Sequence, residues 1–327
     1  MEPEQLLERA LESVAEGTIS HGRRYTAQEL ADRAGVDLEL ARRLRRAMGL
    51  PDLPEDEPAF FEEDLRALER AKTLMDEDGL TQAEILQLTR TLGLAASRMA
   101  DAVVGFWTDR VLTGVASGDQ ADKFVPDPKR VEDLELVVAY LLRRHLLDSI
   151  SRRIGDASDS EAGNIVAVGF ADLVGFTSLS EQLSDTETAE LIEQFERVAT
   201  DTIVGGGGRV VKMIGDEVMF SADPTLVAEI AVSLAETFGS PDVPSVRVGV
   251  AMGNVVSQSG DLYGPVVNLA SRATMAARPG SVLISPSLAE QLRDDERFEV
   301  KPIKPHRLKG IGTVQLSILR RAGDGRR

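Results

Sequence analysis

The alternation of apolar and polar positions changes character near residue 160. From Glu4 to Arg153 the apolar residues recur at helical spacing, with few β-branched runs to interrupt them. The pattern predicts helices over Glu4 to Glu16, Ala27 to Ala34, Asp37 to Met48, Glu62 to Asp76, Thr81 to Thr91, Ala95 to Val115 and Val131 to Arg153. Beyond it, Val- and Ile-rich runs bounded by Gly, Asp and Asn alternate with helical stretches, so strands enter. The polar, small-residue segment Gly155-DASDSEAG separates the halves. The predicted organisation is an all-helical domain over 1–154, a linker over 155–163, an α+β domain over 164–322 and a tail over 323–327.

Three stretches of the second half carry chemistry. In Asn164-IVAVGFADLVGFTSLSEQL an apolar run ends in Asp172 and turns through Gly175 into a helix opened by Thr177 and Ser178. In Arg209-VVKMIGDEVMF two β-branched runs meet at a Gly-Asp turn that places Asp216 at a hairpin tip. Two carboxylates at neighbouring strand ends suit hard divalent cations, and a free helix N-terminus beside them suits phosphate. Taken alone, an Asp before a Gly-containing turn is more often a turn or cap residue than a ligand. The third stretch, Asp261-LYGPVVNLASRATMAARPGSVLIS, adds a carboxylate and then Asn268 and Arg272 one helical turn apart on one face. A guanidinium fork matches the oxygens of a transferring phosphate, and an amide one turn away can hold a sugar oxygen in line.

FADLVGFTSLS, VKMIGDEVMF and DLYGPVVNLASRA resemble the three signature stretches of the class III adenylyl cyclases, over roughly Asn164 to Arg320. The resemblance implies a ferredoxin-like catalytic domain that dimerises head to tail, each active site built from both partners. It implies that Asp172 and Asp216 hold two Mg²⁺ or Mn²⁺ ions, that Lys212 and Asp261 read adenine, and that Asn268 and Arg272 steady the transition state. The substrate is then ATP, cyclised by attack of the ribose 3′-oxygen on the α-phosphate, with the backbone amides of Val174, Gly175, Phe176 and Thr177 as a phosphate cradle. Lys309, in Arg307-LKGIG, falls in a stretch that lies near the triphosphate in the family, and equally fits a solvated loop lysine.

The remaining composition narrows the setting. A formal charge of −17 argues against general nucleic-acid or anionic-membrane binding, and the absence of cysteine excludes disulfides and thiolate chemistry. No apolar run is long enough to span a bilayer, and the acidic start Met1-EPEQ is unlike a signal peptide, so a soluble cytoplasmic protein is expected. Thr26-AQELADRAGVDLELARRLRRAMGL has the cadence of a helix-turn-helix with Arg42, Arg43, Arg45 and Arg46 on its second helix, but its acidic surroundings favour two packed helices of a bundle, with no nucleic-acid partner expected. The helical half as a whole resembles the regulatory domain fused to some actinobacterial cyclases, which implies pH-dependent control and a lipid ligand. His145, beside Leu141 and Leu142, is the candidate proton sensor of the last predicted helix. A catalytically silent nucleotide-binding module and a diguanylate cyclase, whose hairpin signature shares Gly215-Asp216-Glu217, are the alternative readings.

Overall fold

The computed structural model describes residues 24–54, 56–116, 128–158, 165–239 and 244–323. The helix expected over Glu4 to Glu16 lies outside them. The chain divides into two compact units, Met1–Arg152 and Arg153–Arg327.

The first unit is helical. Helix α1 (Ala27–Ala34) starts in a capping box, with Thr26 Oγ accepting from the Glu29 N–H and the Glu29 carboxylate accepting from the Thr26 N–H. Helix α2 (Leu38–Ala47) is capped by Asp37, whose carboxylate accepts from the Leu40 N–H at 2.7 Å. Helix α3 (Glu62–Asp76) opens on three acidic residues that complement its N-terminal dipole. Leu30, Leu40, Leu44, Leu65, Leu68, Ile85 and Leu86 bury one another between these helices. The α1–α2 pair has the turn of a helix-turn-helix, yet two arginines of α2 are tied to the chain itself. Arg45 donates to the Pro51 carbonyl and stacks over Phe60, and Arg46 pairs with Glu39.

Two expectations for this unit need correction. The helices predicted over Thr81 to Thr91 and Ala95 to Val115 are one helix, α4 (Gln82–Ala116), of 35 residues. Gly93 does not break it; a Cβ there would stand 2.6 Å from the Met48 carbonyl oxygen, so glycine lets the end of α2 approach α4. Helix α5 (Pro128–Ser158) likewise carries on through Gly155 to Ser158, so the expected linker begins as helix. The large apolar residues Leu88, Leu92, Met99 and Phe106 of α4, and Leu136, Tyr140, Leu147 and Ile150 of α5, are exposed. No described helix is long and apolar enough to cross a membrane.

The second unit is built on a seven-stranded sheet in the order β2-β3-β1-β4-β7-β11-β8. Its first strands are β1 (Ile165–Leu173), β2 (Arg209–Ile214), β3 (Glu217–Ala222) and β4 (Val246–Asn254). Helices α6 (Phe176–Ser180) and α7 (Asp185–Gly205) join β1 to β2, and α8 (Pro224–Thr237) joins β3 to β4. That βαββαβ order, with β1 antiparallel to both β3 and β4, is the ferredoxin-like arrangement expected. A small hairpin of β5 (Val256–Gln258) and β6 (Asp261–Tyr263) leads into α9 (Pro265–Ala276). Then follow β7 (Val282–Ile284), α10 (Pro286–Gln291), β8 (Phe298–Pro302), the hairpin β9 (His306–Leu308) and β10 (Gly312–Val314), and β11 (Ser317–Arg321).

Both faces of the sheet are covered. Phe195, Ala199, Ile203, Ile230 and Leu234 of α7 and α8 pack on Ala171, Val218, Phe220, Val248 and Val250. On the other face Val168, Phe170, Met219 and Ala251 meet Ala270 of α9 and Leu262 of β6. Burial from both sides explains why β1 reads as an unbroken apolar run. Helix α9 lies directly on β4: a Cβ at Gly249 would sit 2.1 Å from the Thr274 nitrogen. The Thr274 hydroxyl, fully buried, reaches the carbonyls of Ala270 and Phe170 and ties α9 to β1 as well.

Candidate active site

Three strands end side by side. Asp172 near the end of β1 pairs across the sheet with Glu217 of β3 on one side and Arg247 of β4 on the other. Arg247 Nε donates to Asp172 Oδ2 at 2.5 Å, in a site where both side chains are partly buried. The β2–β3 hairpin turns through Gly215, at φ 60°, and its Asp216 carbonyl accepts from the Leu173 N–H at 3.0 Å. That bond brings Asp216 beside Asp172.

The electrostatics follow from crowding carboxylates at a partly dry strand edge. Burial raises the Asp216 carboxyl above its usual value, and the charge of Asp172 adds to the rise. Glu217 is pushed up to about 7, by burial first and then by Asp172 and Asp216, against the opposing pull of Arg247 and Lys212. Oxygen-only donors whose negative charge Arg247 only partly offsets fit a hard divalent cation. Among the described residues no three His, Cys, Asp or Glu side chains gather as a metal-binding group. A cation held by Asp172 and Asp216 would therefore complete its shell with backbone, water or phosphate oxygens.

The peptide after Asp172 departs from the expected cradle at one position. The Val174 N–H donates to the Ser245 carbonyl at 2.8 Å and is not free for a ligand. Gly175, Phe176 and Thr177 remain at the entry to α6, where N–H groups have no acceptor within the helix.

A second pair forms where β2 meets β6. Lys212 Nζ donates to Asp261 Oδ2 at 2.5 Å, and Asp261 Oδ1 accepts from the Leu262 N–H at 2.8 Å. Burial works to raise the Asp261 carboxyl; the bonds from Lys212 and the Leu262 backbone, with the charge of Lys212, outweigh it and hold the group below its ordinary range. Asn268 and Arg272 stand one turn apart on α9, where Asn268 is exposed. Arg272 donates to Met275 Sδ and has no carboxylate partner among the described residues. Among the described residues no hydrogen bond or ion pair joins these three groups, the strand-end carboxylates, the Lys212–Asp261 pair and the α9 residues, to one another.

Lys309 is exposed on the β9–β10 turn, and His145 is exposed on α5, with Leu141 and Leu142 exposed beside it. Sequence reasoning missed Arg247 and gave Glu217 no role. Both left a signal: Arg247 is the lone charge in the apolar run Val246-RVGVAM, and Glu217 follows Asp216 directly.

The adenylate and guanylate cyclase catalytic domain matches residues 159–320, and the adenylate cyclase regulatory domain matches residues 13–124. An adenylate cyclase of Glutamicibacter nicotianae is 34% identical over 96% of this chain and 82% of its own length. The chain belongs to the class III adenylyl cyclase family. Another family member, an adenylate cyclase of Streptomyces coelicolor, is 34% identical over 93% of this cyclase and 87% of itself. A pH-sensitive adenylate cyclase of Mycobacterium tuberculosis is 32% identical over 92% and 79%. Among solved structures, the catalytic core of a rhodopsin-guanylyl cyclase with converted specificity, in complex with ATPalphaS, aligns with 48% of this cyclase and 96% of that chain, at 22% identity and a TM-score of 0.44.

Proposed function

We propose that this cyclase converts ATP to 3′,5′-cyclic AMP and pyrophosphate in a head-to-tail homodimer, with two Mg²⁺ or Mn²⁺ ions per site held by Asp172 and Asp216. The observation that carries the choice of ATP is the Lys212–Asp261 pair, which sets an ammonium donor against a carboxylate acceptor. Adenine offers N1 as acceptor and its 6-amino group as donor, so it fits that order; guanine, with O6 and N1–H, opposes it.

The cations, when bound, lower the pKa of the 3′-hydroxyl and neutralise the phosphates. The chain's own residues supply the rest. Asp172 lies at the end of β1 and Asp216 in the adjoining hairpin turn, and Arg247 holds Asp172 in place, so a cation bound there would compete with a guanidinium. The Gly175, Phe176 and Thr177 amides lie next to these carboxylates and receive phosphate oxygens. Arg272, with no carboxylate partner among the described residues, keeps its fork for charge that grows on the transferring phosphate, with Asn268 one turn away to orient the ribose. Among the described residues no hydrogen bond or ion pair joins Asn268 or Arg272 to the strand-end carboxylates, which agrees with a site completed by a second copy. The helical first unit is the regulatory part, and its sequence likeness to a pH-sensitive relative supports control by proton concentration.

Incubating the purified chain with Mn²⁺ and either ATP or GTP, then identifying products by mass, tests the reading. Cyclic AMP from ATP alone is expected. Asp172→Ala and Asp216→Ala should each abolish turnover without loss of folding, and residual activity above a few per cent in either would remove the two-cation assignment. A cyclic dinucleotide from GTP, or no product, would transfer the chain to a different function.

A further inference from the structure

Helix α9 carries a sulfur atom beside its arginine. Met275 follows Arg272 by three residues, which puts both side chains on one side of the helix. Arg272 Nη1 donates to Met275 Sδ at 3.1 Å. The packed side of α9 runs through Ala270, Ala273 and Thr274, and Met275 stands off it, 58% exposed. Among the described methionines of the catalytic unit, Met219 is wholly buried, Met213 and Met252 are partly buried, and Met275 is the exposed one. The chain has no cysteine, so thioethers are the sulfur atoms it offers to an oxidant.

A thioether sulfur is a weak acceptor, so Arg272 gives it up readily when charge develops on a phosphate. Oxidation would reverse that preference. In the reaction with hydrogen peroxide the sulfur lone pair forms an S–O bond as the O–O bond breaks. The sulfur gives up two electrons, and the second peroxide oxygen leaves as water with both protons. The product, methionine sulfoxide, is polar, and a hydrogen bond from a guanidinium to its oxygen is charge-assisted. We propose that Met275 is an oxidation-sensitive switch on the cyclase: hydrogen peroxide converts it to the sulfoxide, whose oxygen holds the Arg272 guanidinium and withdraws it from the transferring phosphate. This rests on the transition-state role given to Arg272 above. Because Met275 is exposed, the added oxygen enters no core, so activity falls while the fold stays. Reduction of the sulfoxide returns the weak acceptor and releases Arg272.

Met275→Leu keeps the volume and apolar character of the side chain and removes the sulfur, so its untreated activity should match wild type. Full-length wild type and variant are treated with hydrogen peroxide and assayed for cyclic AMP formation. Peptide mass mapping reads the oxygen added at each methionine, and a thermal unfolding scan checks the fold. Treated wild type should lose about tenfold in kcat with KM for ATP held, because a charge-assisted bond must break before the transition state is served, and Met275→Leu should change less than about twofold. The two epimer-specific methionine sulfoxide reductases should restore wild-type activity. Wild type oxidised at Met275 with kcat unaltered would overturn the inference, as would equal losses in wild type and Met275→Leu. So would a Met275 left intact while Met99 of α4, 44% exposed, is converted. An untreated Met275→Leu protein with reduced kcat would make Met275 a support for Arg272 and no switch. Arg272→Ala separates the switch from the role beneath it. An active Arg272→Ala enzyme would remove the transition-state role and the switch together, whereas an inactive one beside an oxidised but undiminished wild type would remove the switch alone.

Discussion

Gly249→Ala should uncouple the fold of the catalytic unit from its chemistry. The added Cβ would sit 2.1 Å from the Thr274 nitrogen and 2.6 Å from the Ala270 carbonyl oxygen, both backbone atoms of α9, where ordinary contact begins near 3.4 Å. No side chain can swing aside, so α9 must withdraw from β4 by about 1.3 Å. Overpacking of this kind costs about 1 to 3 kcal/mol. For a unit of this size that is a fall of about 3 to 10 °C in melting temperature. The same displacement carries Asn268 and Arg272 off line, and a misplacement of about 1 Å costs on the order of a hundredfold in rate. The assay is steady-state cyclic AMP formation with saturating ATP and Mn²⁺, paired with thermal unfolding of the full chain. Gly205→Ala serves as control, because its Cβ would meet nothing within 4 Å at the end of α7. It should be neutral to slightly stabilising. A Gly249→Ala protein with wild-type kcat and melting temperature would refute the close packing of α9 on β4 as the device that sets Asn268 and Arg272.

Mixing Asp172→Ala chains with Arg272→Ala chains, each inactive alone, should restore activity, because a heterodimer then carries one intact site; demonstrated heterodimers without activity would show that sites are not shared. Glu217 is protonated in the folded protein up to about pH 7 while its unfolded counterpart ionises near 4.5, so folded stability from this group is full below 4.5 and lost as pH rises through 7. In chelator-treated protein Glu217→Gln should therefore melt higher than wild type at pH 8 and similarly at pH 4; a gap equal at both pH values would contradict the crowded-carboxylate account. Activity of the full chain should rise on mild acidification more steeply than that of the fragment from Gly163 onward, and His145→Ala should flatten the difference. Identical profiles for chain and fragment would place no pH switch in the helical unit, and an unaltered His145→Ala profile would move the sensor elsewhere.

Local chemistry made much of this protein readable from its chain. Thr26 with Glu29 and Asp37 with Leu40 announce helix starts because capping bonds are made within one turn, and the ends of α1 and α3 fall where the periodicity stops. Asp172, Asp216, Lys212, Asp261, Asn268 and Arg272 stand out because each sits in a motif whose spacing fixes a strand tip or a helix face. What spacing does not hold is which neighbour a side chain meets across the sheet. Arg247 became a partner of Asp172 only when β4 registered against β1, and the Val174 N–H was lost to a ligand only because Ser245 lies opposite. Gly93 looks like a helix break until α2 is seen to press against it, and Gly249 looks ordinary until α9 lies on it. In each case the deciding contact joins residues far apart in the chain, so only packing could choose between a glycine that ends an element and one that admits a neighbour.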